Sequence, residues 1–176
     1  MKPKLLLLLV FFSAIKNLQA QSITINEYQG NRPLQWTDFR GAPEESSPFA
    51  AKTFWNIRYT YKYKMMGDSV KLEPLVYLEL GNLSWAKEGK KTDELLKHEQ
   101  GHFNTGVLCA RELLAMLQSK SFPKEYFSDY IKRACGEIIQ KYKNMDLQYD
   151  AETDHSKNKP QQKKWDEYYT ASLNAK

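Results

Sequence analysis

His98-Glu99-Gln100-Gly101-His102 sets two imidazoles four residues apart, with a carboxylate beside the first. On a helix, positions i and i+4 lie one above the other on the same face, so both rings can reach a single cation. Neutral imidazole nitrogens suit Zn²⁺ at roughly 2.0–2.1 Å. Glu99 lies about 100° further round the helix. From there its carboxylate faces a water on the ion without ligating it, which is the place of a general base in a zinc hydrolase. The same spacing also arises by chance, and a helical histidine is more often a packed or solvated residue than a ligand. Against chance, the chain has three histidines and two of them form this pair. Gly101 lowers helix propensity by about 0.8–1.0 kcal/mol relative to Ala, and reads as leaving room beside the ion.

A hydrolytic zinc takes three protein ligands and keeps one position open for water. The extended metzincin pattern is excluded, because Thr105 and Leu108 stand where it requires Gly and His. Glu125 and Glu137 are nominal third ligands, and Glu112 is too far along the same helix to fold back. His155, 53 residues after His102, is the favoured third ligand, with Asp150 as the alternative. The competing reading of His155 is a solvated loop residue beside Lys157 and Lys159. Tyr149 could donate to the oxyanion formed as water attacks a carbonyl, or could simply pack. Asp150 could instead orient a ligand imidazole by accepting its second N–H.

The elements that must position these groups divide the chain in two. Thr53, Trp55, Ile57, Tyr59, Tyr61 and Tyr63 alternate with more polar neighbours, a period-2 strand pattern. Met66 to Ser69 is a turn, Val70 and Leu72 begin the return strand, and Leu75 to Leu80 reads as a third strand after Pro74. Ile23 to Ile25 is a weaker candidate. Thr92 to Lys120 reads as one helix, capped by Thr92 and led by Asp93 and Glu94, where the dipole favours acids. Pro123 opens a second helix, followed by the acidic segment 146–154 and a loop over 155–159. A last helix runs from Pro160, with Trp165 and Tyr169 on one face. Strands followed by helices make an α+β fold, an antiparallel β-meander followed by a helical half that carries the histidine pair.

Residues 1–20 read as a cleavable signal peptide. Lys2 and Lys4 precede the apolar run Leu5 to Phe12, and Ala20 is a small residue at the cleavage point. The run is shorter than the roughly 20 apolar residues a bilayer span needs, and no Cys follows the cut to carry a lipid. The expected product is a secreted or periplasmic single domain, 21–176, without a stable membrane anchor. The chain's formal net charge is +5, but the leader holds Lys2, Lys4 and Lys16 and no acid, leaving 23 Lys and Arg against 21 Asp and Glu. That near balance removes most of the case for a nucleic-acid partner. Cys109 and Cys135 would lie at similar heights in an antiparallel helix pair, either bridged or packed as thiols.

Several blocks together resemble a known bacterial family. They are Trp36-Thr37-Asp38-Phe39-Arg40-Gly41, Ser84-Trp85, Leu95 to Phe103, Ala110-Arg111, Tyr149 to His155, and Gln162 with Trp165. The chain resembles domain-of-unknown-function family 922, described as predicted secreted zinc-dependent proteases. That family tends to have Gly after the second-block histidine, where this chain has Ser156. The resemblance implies a zincin-like peptidase and raises His155 as a ligand. The leading expectation is thus a secreted zinc metallopeptidase acting on a peptide or protein. Zn²⁺ would be held by His98, His102 and His155, with Glu99 as general base and Tyr149 as a catalytic candidate. The rival is a non-catalytic periplasmic module, for binding or scaffolding, in which zinc is structural.

Overall fold

The computed structural model describes residues 22–24 and 33–175, and the expected leader lies outside these. Alternating burial builds the sheet. Strand β3 (Trp55–Met66) turns through Gly67-Asp68 into β4 (Ser69–Leu80), and the two pair antiparallel from Trp55↔Leu80 to Met66↔Ser69. Along β4 the buried positions Val70, Leu72, Pro74, Val76, Leu78 and Leu80 fall on every second residue, the period-2 pattern of a sheet with one face covered. The far edge of β4 takes two short partners. Strand β1 (Ser22–Thr24) pairs with Tyr77 to Glu79, and β6 (Ser121–Pro123) pairs with Ser69 to Lys71. Strands β2 (Ala51–Lys52) and β5 (Trp85–Ala86) form a separate two-stranded ribbon.

Three helices follow the sequence order expected for an α+β chain. Helix α1 (Asp93–Ser119) lies against the buried face of β3 and β4. Helices α2 (Phe127–Thr153) and α3 (Lys159–Asn174) pack on α1 and on each other. The N-terminus of α1 is held by Thr92 Oγ1, which accepts from Leu95 N at 3.2 Å. The approach of α1 to the sheet is close enough that a Cβ on Gly106 would meet Leu78 Cδ1 at 2.8 Å and the Trp55 ring at 3.0 Å. The core is built from Val76, Leu78, Phe103, Val107, Leu113, Leu117, Phe122 and Ile131. Cys109 and Cys135 are buried free thiols within it.

Three boundaries differ from the sequence reading. Pro74 does not separate two strands but sits inside β4, opposite Tyr61. It falls between the segments paired to β6 and β1, where a residue without an N–H is tolerated. Pro123 ends a strand rather than opening a helix, because 121–123 find a partner in the start of β4. Helix α2 begins at Phe127 and runs through the acidic segment as far as Thr153. That extension carries Asp146 and Asp150 onto the face that meets the α1 histidines.

Candidate metal centre

His98 and His102 project from the buried face of α1, one turn apart, as the i, i+4 spacing requires. Their Nε2 atoms lie 3.3 Å apart. Asp150, from the last turn of α2, brings Oδ1 to 3.2 Å from His98 Nε2 and 3.1 Å from His102 Nε2. Tetrahedral donors at 2.0–2.1 Å from one ion would stand about 3.3 Å from each other. The three donors therefore have the spacing of ligands to a single small cation. Two nitrogens and one carboxylate oxygen suit Zn²⁺ and neighbouring divalent metals. Among the described residues, His98, His102 and Asp150 form the group able to hold a metal ion.

The far nitrogen of each ring is also committed. His102 Nδ1 stands 2.9 Å from Asp146 Oδ1, and Trp55 Nε1 donates to Asp146 Oδ2 at 3.2 Å. His98 Nδ1 stands 3.0 Å from Gln162 Oε1, on α3. A ring that donates from Nδ1 leaves the Nε2 lone pair for a cation, so these partners fix tautomer and orientation together. Burial works against a charge on His102. Its hydrogen bonds to Asp146 and Asp150 outweigh that cost and raise its pKa to about 10 when no ion competes. Burial likewise opposes charge on Asp150, yet the two imidazoles hold its pKa well below the usual carboxylate range.

His155 stands beside this group rather than within it. Its Nδ1 is 3.2 Å from Asp150 Oδ1, its side chain is 38% exposed, and its ring packs on Phe49 at 4.5 Å. The backbone here is unusual. Asp154, His155 and Ser156 have φ of 46°, 49° and 77°, three successive non-glycine residues in the left-handed region. Such residues cost of order 1 kcal/mol or more each. The segment is held by Asn158 N donating to Thr153 O at 2.7 Å and His155 N donating to Asp150 O at 3.2 Å. Ser156 has the most positive φ of the three.

Tyr149 lies behind the histidines. It is fully buried and stacks on His98 at 4.8 Å with 17° between planes. Its hydroxyl donates to His98 O at 3.0 Å and accepts from Gln162 Nε2 at 2.8 Å. A Cβ on Gly101 would collide with this hydroxyl and ring. The space that Gly101 leaves is thus taken by Tyr149, not by an ion. Burial pushes the phenol's pKa far above its ordinary value, although the Gln162 hydrogen bond acts in the opposite direction.

In front of the histidines lies a cavity of about 460 Å³, within the usual range for ligand sites. Its walls include Phe49 to Phe54, Leu95, Leu147, Lys143 and His155, together with His98, Glu99, His102, Asp146 and Asp150. Glu99 is buried, and Thr53 Oγ1 donates to its Oε2 at 2.6 Å. Thr53, which follows β2, thereby orients this α1 carboxylate in the wall of the cavity that the three donors also line. Glu112 is engaged elsewhere, accepting from Lys141 and Tyr142, while Glu125 and Glu137 are exposed.

The sequence reading did not single out Asp146, Thr53 or the role of Gln162. Asp146 carried a signal, since Asp146 and Asp150 repeat the i, i+4 spacing of the histidines. Thr53 and Gln162 carried none beyond neighbourhood, because their partners are 46 and 64 residues away.

Residues 84–156 are similar to a family described as bacterial protein of unknown function (DUF922). The matched segment holds His98, Glu99, His102, Asp146, Tyr149, Asp150 and His155, and leaves out Thr53 and Gln162. No curated protein and no solved structure matches the chain.

Proposed function

We propose that this chain is a secreted zinc metallopeptidase, with His98, His102 and Asp150 as the ligands. The single observation that carries the reading is the mutual 3.1–3.3 Å spacing of the three donors, beside a carboxylate that ligates nothing and faces the same cavity. A zinc ion bound there would supply Lewis acidity, making water a nucleophile near neutral pH. Glu99, oriented by Thr53, takes the proton as water adds to the scissile carbonyl carbon. It then passes that proton to the leaving amine as the C–N bond breaks. His155 orients Asp150 from the solvent side. Tyr149 is a positioning residue here, because its hydroxyl is spent on the His98 carbonyl. The edge at Phe49 to Thr53 offers backbone for an extended peptide.

The second reading is a non-catalytic module with a structural ion. It draws on His155, whose Nδ1 is 3.2 Å from Asp150 Oδ1, since four protein ligands would close the site. Glu99→Gln separates the two. The peptidase reading predicts unchanged zinc stoichiometry and a loss of peptide-library cleavage of about 10²–10⁴-fold, the usual worth of a general base. Wild-type protein that carries zinc yet cleaves nothing would favour the structural module.

A further inference from the structure

We propose that the cleft selects a peptide segment bearing a carboxylate, and that Lys143 is the residue that reads it. The inference deepens the peptidase reading, and rests on it only for the ligand being a peptide.

The charged groups of the cavity wall are three acids, Glu99, Asp146 and Asp150, and three lysines, Lys52, Lys143 and Lys157. Every acid is engaged: Glu99 by Thr53, Asp146 by His102 and Trp55, and Asp150 by the histidines. Lys157 lies 3.8 Å from Asp154. Lys52 and Lys143 instead sit over aromatic rings, at 4.8 Å from Phe54 and 3.5 Å from Trp55. With a dication in place the wall carries a net positive charge, and an anionic ligand complements it.

Lys143 is the more telling of the two because it is half-buried. Its ammonium has three donors. One goes to Trp55 O at 3.2 Å, and no carboxylate lies within ion-pair distance among the described residues. Asp146, one turn along α2, acts on this ammonium only from beyond ion-pair distance and is itself bonded to His102 and Trp55. Holding a cation partly out of water without a direct partner is unfavourable, and a ligand carboxylate in the cavity would supply one. The rest of the lining is mainly apolar, with Phe49, Ala50, Leu95 and Leu147. The substrate class is therefore an apolar peptide carrying either an acidic side chain or its own C-terminal carboxylate.

The test is binding of fluorescent peptides to zinc-loaded Glu99→Gln protein, so that cleavage plays no part. One apolar parent peptide is made in three forms: amidated and neutral, amidated with an internal Glu, and neutral with a free C-terminus. The proposal expects one acid-bearing form to bind at least about tenfold more tightly than the neutral form, and which one it is identifies the carboxylate's source. Adding Lys143→Met should abolish that preference while leaving neutral-peptide affinity within about twofold. Lys143→Arg should retain it, which separates charge from packing on Trp55. Equal binding of all three forms, no binding of any, or a preference that survives Lys143→Met overturns the proposal. Cleavage by wild type without acid preference would sink this inference and spare the peptidase. Acid-selective binding without cleavage would do the reverse.

Discussion

The two ends of the α1–α2 pair are built from opposite chemistry. Towards the C-terminus of α1, Val107, Leu113 and Leu117 belong to one apolar core with Phe122, Ile131 and Cys135. Towards its N-terminus, the same two helices meet through His98, His102, Asp146 and Asp150. Apolar burial stabilises by roughly 25 cal/mol per Å² and asks nothing of a ligand. Buried charge is costly unless paired and hydrogen-bonded. One end is therefore the source of stability, and the other uses it to hold charged groups in a fixed array.

Substitutions should separate the two ends. The largest effect on folding is expected from Leu113→Ala, about 2–5 kcal/mol, seen as the same loss in denaturant unfolding with and without zinc. Asp146→Asn should act the other way. Its distinctive effect is on zinc, whose affinity weakens about 10–100-fold, as loss of such a histidine partner typically does. The zinc-free fold loses only the part of the His102 stabilisation that Asp146 supplies. If Asp146→Asn left affinity unchanged, the carboxylate would not be orienting His102. Gly101→Ala should cost about 1–3 kcal/mol by forcing Tyr149 aside, measurable by thermal unfolding. The smallest change is a gain. Ser156→Gly should stabilise by about 1 kcal/mol, because glycine accepts a φ of 77° without strain.

Acidity sharpens the same contrast. In zinc-free protein the raised His102 pKa contributes stability that is complete below about 6.5 and is lost as pH rises through about 10. The lowered Asp150 pKa contributes stability that is complete above its ordinary 3.8 and is lost as pH falls below it. The zinc-free fold should be most stable between those limits. Zinc must displace the His102 proton, so its affinity should climb with pH where its contribution to unaided folding declines. Thermal melts across pH, with zinc and with chelator, should diverge progressively as pH rises towards about 10.

The legible parts of the chain were those whose signals are local. The alternation from Thr53 to Tyr63, the Thr92 cap and the i, i+4 histidines each lie within one element. Each is set by backbone period and capping chemistry. The boundary at Pro74 was misplaced because the β3–β4 hairpin continues past it, and that at Pro123 because 121–123 find a partner in the distant start of β4. Within the site, Asp150 was legible as an alternative ligand because it lies in the same block as His155. The Tyr149 hydroxyl's commitment to His98 O was not, since it depends on how α2 packs against Gly101. Thr53 and Gln162 reach the site only through the ribbon and α3, which no local pattern encodes.

The central claim is that His98, His102 and Asp150 share one ion. Calorimetric titration of Zn²⁺ into chelator-stripped protein tests it most directly. One equivalent should bind to the wild type, binding should be abolished by Asp150→Ala, and it should be only weakened by His155→Ala. Failure of the stripped, folded wild type to take up zinc, or uptake unaltered by Asp150→Ala, would contradict the account.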